Sequence, residues 1–134
     1  MIAVDTNILL RWIVKSEADA AEHGIAFEFM ESHRDLFVSQ SVLLELEWVL
    51  RGRYKLKPPE VHAALSGLMN ADNITVENEH LATEALRHHH RGMDFTDAMH
   101  LVAARNCDAL ATFDKDLARL SKRLSLKPPC VMPG

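Results

Sequence analysis

The sequence predicts an α/β fold in which helices flank a central, mostly parallel sheet of four to five strands, giving three layers. Short apolar runs bounded by polar or turn residues alternate with longer segments of helical period along the chain. This alternation is typical of βαβ units. The chain has 134 residues, of which 48% are apolar and 25% are charged. That length and composition predict a single globular domain over residues 1–134.

Five apolar runs predict the strands, at residues 2–4, 36–39, 74–76 and 109–111, with a weaker one near residue 131. The segments between them predict helices at residues 6–14, 17–32, 41–53, 59–70, 79–89, 95–105 and 116–124. The motif KPPE at 57–60 favours a helix start, because the fixed φ and missing N–H of proline are tolerated in a first turn. The motif KPP at 127–129 predicts a loop.

The helix predicted at 17–32 carries an apolar stripe made by Ala18, Ala21, Ile25 and Phe29. Spacing of this kind favours packing against the core. The alternative is that the stripe exceeds what the core needs and forms the surface for a second copy or another protein.

Several function classes are disfavoured by composition. No apolar stretch approaches the roughly 20 residues that cross a bilayer, and no basic-then-apolar leader opens the chain. Cys107 and Cys130 lack CxxC spacing, so neither a disulfide framework nor a zinc site is predicted, and a cytoplasmic location is expected.

The net charge of −4 offers no general attraction to nucleic acid. An anionic substrate would need a local basic patch or a metal ion.

Acidic residues recur where predicted strands end. Asp5 follows the first strand, Glu45 lies early in the helix after the second, and Asp114 follows the run ALATF. In open α/β folds, ligands bind at the carboxyl ends of the strands. Asp97 joins this group if the helix that contains it begins beside the same edge. Four carboxylates would then converge.

Each carboxylate also has a plainer interpretation. Asp5 and Asp114 are suited to cap helices, and Asp94 with Asp97 resembles a capping box. Glu45 and Glu47 both lie about 100° from the apolar face of their helix, so the period does not choose between them. Position favours Glu45, which is closer to the helix start, and predicts that Glu47 is solvated.

A cluster of four carboxylates would raise the pKa values of its own members unless a cation compensated for the charge. Oxygen ligands without a cysteine or histidine set favour Mg²⁺, or Mn²⁺, over zinc. Phosphoryl transfer is the chemistry that such a site serves most directly.

Four segments together resemble the acidic motifs of the PIN-domain nucleases, and most closely those of the VapC-type toxins of bacterial toxin–antitoxin pairs. In chain order they are MIAVDTNILLRWIV, VSQSVLLELEWVLR, MDFTDAMHLVAA and LATFDKDLARL. The resemblance extends from the first residues to about residue 120. It implies a PIN-like fold, in agreement with the α/β prediction.

The resemblance places the acidic positions of the family at Asp5, Glu45, Asp97 and Asp114. It implies that Asp5 and Asp97 are metal ligands, with Glu45 and Asp114 completing the pocket directly or through water, and it selects Glu45 over Glu47. The residues expected to support these ligands by hydrogen bonds, or as a further acidic group, are Thr6, Asn7, Thr112 and Asp116.

The resemblance further implies Mg²⁺-dependent endonucleolytic cleavage of RNA by a metal-activated water. A homodimer and inhibition by a small antitoxin protein are also implied.

Three other features favour structural roles. The helical period points His88, His89 and His90 in different directions, which predicts a solvated helix end rather than a metal site. His100, one turn beyond Asp97, is predicted to pack against the sheet, with the alternative that it faces the acidic pocket. The basic stretch at residues 51–57 is predicted to be a basic helix end, with contact to backbone phosphates as the alternative.

Two alternative functions remain from the residues. One is a PIN fold without catalysis that binds RNA or protein. The other is a haloacid-dehalogenase-like phosphatase or a receiver-like domain, since both also place aspartates after parallel strands. The DTN motif lacks the second aspartate of the phosphatases, and no adjacent acidic pair follows the first strand as in receivers.

Overall fold

The structure is a computed structural model that describes residues 1–134. Its five strands are β1 (Ile2–Ala3), β2 (Leu36–Val38), β3 (Ile74–Val76), β4 (Leu110–Ala111) and β5 (Cys130–Val131). Its seven α-helices are α1 (Thr6–Ile13), α2 (Ala20–Ser32), α3 (Gln40–Gly52), α4 (Pro58–Met69), α5 (Glu79–His90), α6 (Phe95–Ala103) and α7 (Lys115–Arg123). The α/β fold and all five predicted strands are confirmed.

The chain divides into two compact units, Met1–Glu79 and His80–Gly134. The first unit contains a three-stranded sheet in the order β1-β2-β3, with both pairs parallel. Val4 extends the β1 pairing beyond the strand, because its N–H donates to the carbonyl of Phe37 at 2.9 Å. Regular pairing therefore reaches the residue directly before Asp5.

Helices of the first unit bury a leucine-rich core. Helix α1 packs against α2 and α3, and α4 packs against α3 and β3. The leucines of this core that are wholly inaccessible to solvent include Leu9, Leu36, Leu43, Leu46, Leu50 and Leu65. Burying one such side chain contributes about 1.5–3 kcal/mol. Leu9 therefore anchors α1 in the core, and Leu43, Leu46 and Leu50 anchor α3.

The second unit contains the parallel pair β4 and β5, with Leu110 opposite Cys130 and Ala111 opposite Val131. Helix α7 packs against β5. Phe95 and Leu101 of α6 have no solvent exposure. The first residue of α6 is thus anchored in the core, which holds the start of that helix in place.

The observed elements are shorter than some predicted ones. The strand predicted at 36–39 ends at Val38 because Ser39 caps α3, its Oγ accepting from the N–H of Val42 at 3.2 Å. The helix predicted at 17–32 begins as a 3₁₀ turn, Glu17–Asp19, before α2. None of the helices combines the length and apolar character needed to cross a membrane.

The predicted core stripe of α2 is wrong. Ile25 is 69% exposed, whereas Ala26 and Met30 are the buried residues of this helix. Residues 26 and 30 are one turn apart and form the inward face. Apolar residues occur around much of this helix, so periodicity did not identify the face that packs against α1.

Candidate active site

Asp5, Thr6 and Glu45 form a cluster in the first unit. Asp5 is exposed and caps α1, with its Oδ1 accepting from the N–H of Thr6 at 2.7 Å. Thr6 is buried, and its hydroxyl donates to Oε1 of Glu45 in α3. The position of Asp5 is therefore set by the end of β1 and by its capping bond to α1. The Thr6 hydroxyl links the start of α1 to the carboxylate of Glu45.

A second acidic cluster lies in the second unit, where a cavity of about 260 Å³ opens between the starts of two helices. Its acidic lining residues are Asp94, Asp97, Asp114 and Asp116. We call this feature the acidic cavity. It is completed by Gly92, Met93, Leu117 and Leu120.

Helix capping fixes two of the carboxylates in the acidic cavity. Asp94 caps α6, its Oδ2 accepting from the N–H of Asp97 at 3.3 Å. Asp114 caps α7, its Oδ1 accepting from the N–H groups of Asp116 and Leu117 at 3.0 Å. The capping interpretation is therefore correct for Asp94 and Asp114, as it is for Asp5. A carboxylate has two oxygens, so capping through one is compatible with a ligand at the other.

Thr112 supports Asp114 through the backbone. Its Oγ1 accepts from the N–H of Asp114 at 2.9 Å, and its own N–H donates to the carbonyl of Val131 at 2.9 Å. Asp116 is exposed and pairs with Arg119 at 3.2 Å. The two hydrogen bonds of Thr112 therefore hold the backbone that leads into Asp114.

Negative charge is crowded around Asp97. Burial raises the pKa of Asp97, and the carboxylates of Asp94 and Asp114 raise it further, while His100 lowers it. His100 is exposed, so the prediction that it packs against the sheet is wrong. It occupies the next turn of α6, from where it favours the ionised form of Asp97. A bound cation would act in the same direction and more strongly.

The donors in both clusters fit a hard divalent cation in kind, because carboxylate oxygens are the ligands that Mg²⁺ and Mn²⁺ prefer. The structure contains no group of three or more His, Cys, Asp or Glu side chains arranged to hold a metal ion. A four-carboxylate metal site accordingly stays a prediction.

The sequence profile of the PIN domain matches residues 2–123. The chain belongs to the PIN domain family. That match covers both acidic clusters and confirms the family resemblance of the four motifs.

Among solved structures, the chain is similar to the toxin VapC20 of Mycobacterium tuberculosis, described as a toxin that cleaves the sarcin-ricin loop. The two are 25% identical, the match covers 89% of this chain and 94% of that one, and the TM-score is 0.46. No curated protein matches the chain in sequence.

Within this PIN domain, the solvent exposure of the two glutamates of α3 is the reverse of that predicted. Glu47 is buried and Glu45 is exposed. Glu47 is 1% exposed, and its Oε2 accepts from Nε of Arg51 at 2.9 Å. The prediction that Glu47 is solvated is wrong, because an arginine one turn later on α3 compensates for its buried charge. Glu45 is the exposed glutamate, and it is the one bonded to Thr6.

The histidine run also differs from expectation. Helix α5 extends to His90, and His88 lies one turn beyond Ala85 on the buried face of the helix. A solvated helix end is therefore wrong for His88. Burial lowers the pKa of its imidazole, and Glu84, 3.8 Å away, raises it. Within the run, His88 is buried, His89 is half-buried and His90 is exposed, so the predicted solvated end holds for His90.

Asn7 and Asp94 have surroundings that the sequence did not indicate, and the supporting role of Asn7 stays a prediction. Asn7 is exposed and lines a surface pocket with Arg11 and Ile25. Asp94 was expected only as a cap, yet it also lines the acidic cavity. The signal for Asp94 was its spacing of three residues before Asp97, which brings the cap residue and a side chain of the first turn to the same helix end.

Proposed function

We propose that this chain is a metal-dependent endoribonuclease and the toxin of a toxin–antitoxin pair. The observation that carries the proposal is the crowding of Asp94, Asp97 and Asp114 around one cavity in a PIN domain. Unneutralised carboxylates raise one another's pKa values, and a bound cation would offset the repulsion among them.

The residues proposed to hold the metal are Asp5, Glu45, Asp97 and Asp114, with Mg²⁺ as the ion and Mn²⁺ as a substitute. When bound, such an ion lowers the pKa of a water molecule and offsets negative charge on the phosphate. PIN nucleases generally use divalent metal ions. All four residues lie within the range that matches the family, residues 2–123.

The chain's own side chains would orient these ligands. Thr6 donates to Glu45 and so restricts its rotamers, while capping of α1 restricts Asp5. Thr112 holds the backbone of Asp114, and Asp116 adds negative charge beside it. Ligands held in this way need little reorganisation when metal and RNA bind.

The remaining parts of the proposal concern organisation and partners. We propose that residues 1–134 form one PIN domain, since the family profile runs through both units. The proposed setting is the cytoplasm, and the proposed partners are an RNA substrate, a second copy of the chain and a small antitoxin. Exposed apolar side chains on α2, Ile25 and Phe27, would suit a protein contact.

The main alternative is a PIN fold that binds RNA or protein without catalysis. Occupation of all four acidic positions favours catalysis. Membership of the PIN family disfavours the phosphatase and receiver alternatives.

The test is cleavage of RNA by the purified chain free of any antitoxin. We expect cleavage with Mg²⁺ or Mn²⁺ and none in EDTA. Because the attacking group is water, the products should carry no 2′,3′-cyclic phosphate, and a 2′-deoxy substitution at the cut site should still allow cleavage. Absence of cleavage with either ion would support the binding module. Cyclic phosphate ends would contradict the proposed reaction.

Replacement of Thr6 by valine should lower kcat about tenfold, because Val keeps the shape but cannot donate to Glu45, and loss of such a supporting bond costs about 10–100-fold. Steady-state cleavage kinetics measure this change. Thr6→Ser keeps the hydroxyl and should retain most of the activity. Equal rates in Thr6→Val and the wild type would show that the bond does not position Glu45.

A further inference from the structure

Phe113 is the most exposed large apolar side chain of the protein, at 76%. It directly precedes Asp114, the cap of α7. An apolar residue at this position often packs against the fourth residue of the helix, which here is Ala118. The exposure of the ring shows that Phe113 does not fulfil this packing role.

The backbone of Phe113 is nevertheless rigidly held. Thr112 on one side pairs with Val131 and accepts from the N–H of Asp114. Asp114 on the other side caps α7. An exposed aromatic ring between two fixed residues loses little conformational freedom when it binds a flat partner.

Basic side chains continue from this point along α7. Lys115, Arg119 and Lys122 lie at positions i, i+4 and i+7, which is one face of a helix. All three are exposed, whereas the opposite face is formed by Leu117 and Ser121, which are buried. At 1.5 Å per residue the three cations span about 10 Å along the axis.

This basic face is notable in a chain of net charge −4. Arg119 pairs with Asp116, but both side chains are largely exposed, at 74% and 90%, so the pair is weak and easily exchanged. The acidic cavity begins beside the same helix start, since Asp114 and Asp116 line it. A polyanion brought to that cavity needs positive charge nearby.

We propose that Phe113 and the basic face of α7, formed by Lys115, Arg119 and Lys122, bind single-stranded RNA next to the acidic cavity. An unpaired base stacks on the ring of Phe113, and the cations contact phosphates along the helix. Aromatic stacking combined with a line of cations is the general mode of single-strand binding. The inference rests on the proposed function for the identity of its ligand.

The test measures binding of a short fluorescein-labelled single-stranded RNA by anisotropy in EDTA, where the proposed activity is silent. Phe113→Leu should raise Kd at least about fivefold, because it removes the stacking surface but stays apolar. Phe113→Trp keeps an aromatic ring and should therefore bind the RNA with the wild-type Kd. Lys115→Gln with Lys122→Gln should reduce the slope of log Kd against log salt by about 1.4, from two lost phosphate contacts.

The matched control is Lys15→Gln with Arg34→Gln, which removes the same charge from exposed cations of the first unit that have no proposed contact with RNA. It should leave the slope nearly unchanged. Wild-type Kd values in the α7 and Phe113 variants would overturn the inference. An equal loss in the control pair would overturn it too.

Cleavage by the wild-type chain with Mg²⁺ is scored separately. RNA that binds in EDTA but is never cut would contradict the proposed nuclease and leave the binding surface supported. RNA that is cut normally by Phe113→Leu, with unchanged Kd and KM, would contradict only the surface.

Discussion

We expect Asp97→Asn to lower the kcat of RNA cleavage by about a thousandfold or more, because Asp97 is a proposed metal ligand. Loss of a metal ligand removes several kcal/mol of transition-state stabilisation, and each 1.36 kcal/mol is about a factor of ten in rate. Asparagine has nearly the same shape as aspartate, so it tests charge and ligation rather than packing. Initial rates of RNA cleavage at saturating Mg²⁺ measure the effect.

The control for this prediction is stability. The pKa of Asp97 is higher in the folded chain than in an ordinary aspartate, so the fold binds that proton more tightly. The contribution of this protonated carboxyl to the free energy of unfolding is fully present below the ordinary pKa of aspartate. It is lost as the pH rises through the raised pKa of the folded chain. In EDTA at neutral pH, Asp97→Asn should therefore melt at the same temperature as the wild type or higher.

The exposed Asp108, also in the second unit, provides a matched substitution. Asp108→Asn should keep wild-type cleavage. If Asp97→Asn cut RNA as fast as Asp108→Asn, Asp97 would have no place among the metal ligands. If Asp97→Asn were unfolded, its loss of activity would not count as support.

We expect Phe95→Ala to lower the free energy of unfolding by about 3–5 kcal/mol, the usual cost of truncating a fully buried phenylalanine. The Phe95 side chain has no solvent exposure, and its ring meets that of His89 edge to face at 5.9 Å. It is the first residue of α6, between Asp94 and Asp97. Chemical denaturation followed by circular dichroism measures the change.

Phe113→Ala is the paired control, since it removes the same atoms from a ring that is 76% exposed. It should change the free energy of unfolding by no more than about 0.5 kcal/mol. Comparable losses in the two variants would contradict the assignment of Phe95 to the core. With Phe95 truncated, the start of α6 is no longer anchored, and cleavage should fall together with stability.

Patterning along the chain predicted the elements well, because each strand is a short apolar run and most helices have one apolar face. Ile74–Val76 matched to the residue. Helix α2 failed this approach because apolar residues surround it, and only its packing on α1 selects Ala26 and Met30. Local periodicity contains no information about such a neighbour.

The two glutamates of α3 illustrate a second limit. Both flank the apolar face, and the period gives them equal standing. The structure separates them by partners: Thr6 reaches Glu45 from α1, while Arg51 neutralises Glu47 within α3. The Arg51 pairing was readable as an i, i+4 spacing, but the burial of Glu47 depends on tertiary packing.

The acidic positions were predictable because strand ends and helix caps have sequence signals. Asp5, Asp94 and Asp114 all cap helices in the structure, so two of the proposed metal ligands, Asp5 and Asp114, are also capping residues. The charge environment of Asp97 was not predictable in detail. It depends on burial and on Asp114, a residue from another helix start.

The central claim is that carboxylates from the four motifs jointly bind the divalent ion that cleavage requires. Isothermal titration of Mn²⁺ into the wild type, Asp5→Asn, Asp97→Asn and Asp108→Asn tests this claim directly. We expect the wild type and Asp108→Asn to bind Mn²⁺ equally, and Asp5→Asn and Asp97→Asn each to bind it at least about tenfold more weakly. Equal Mn²⁺ affinity in all four proteins, or no binding by the wild type, would contradict the claim.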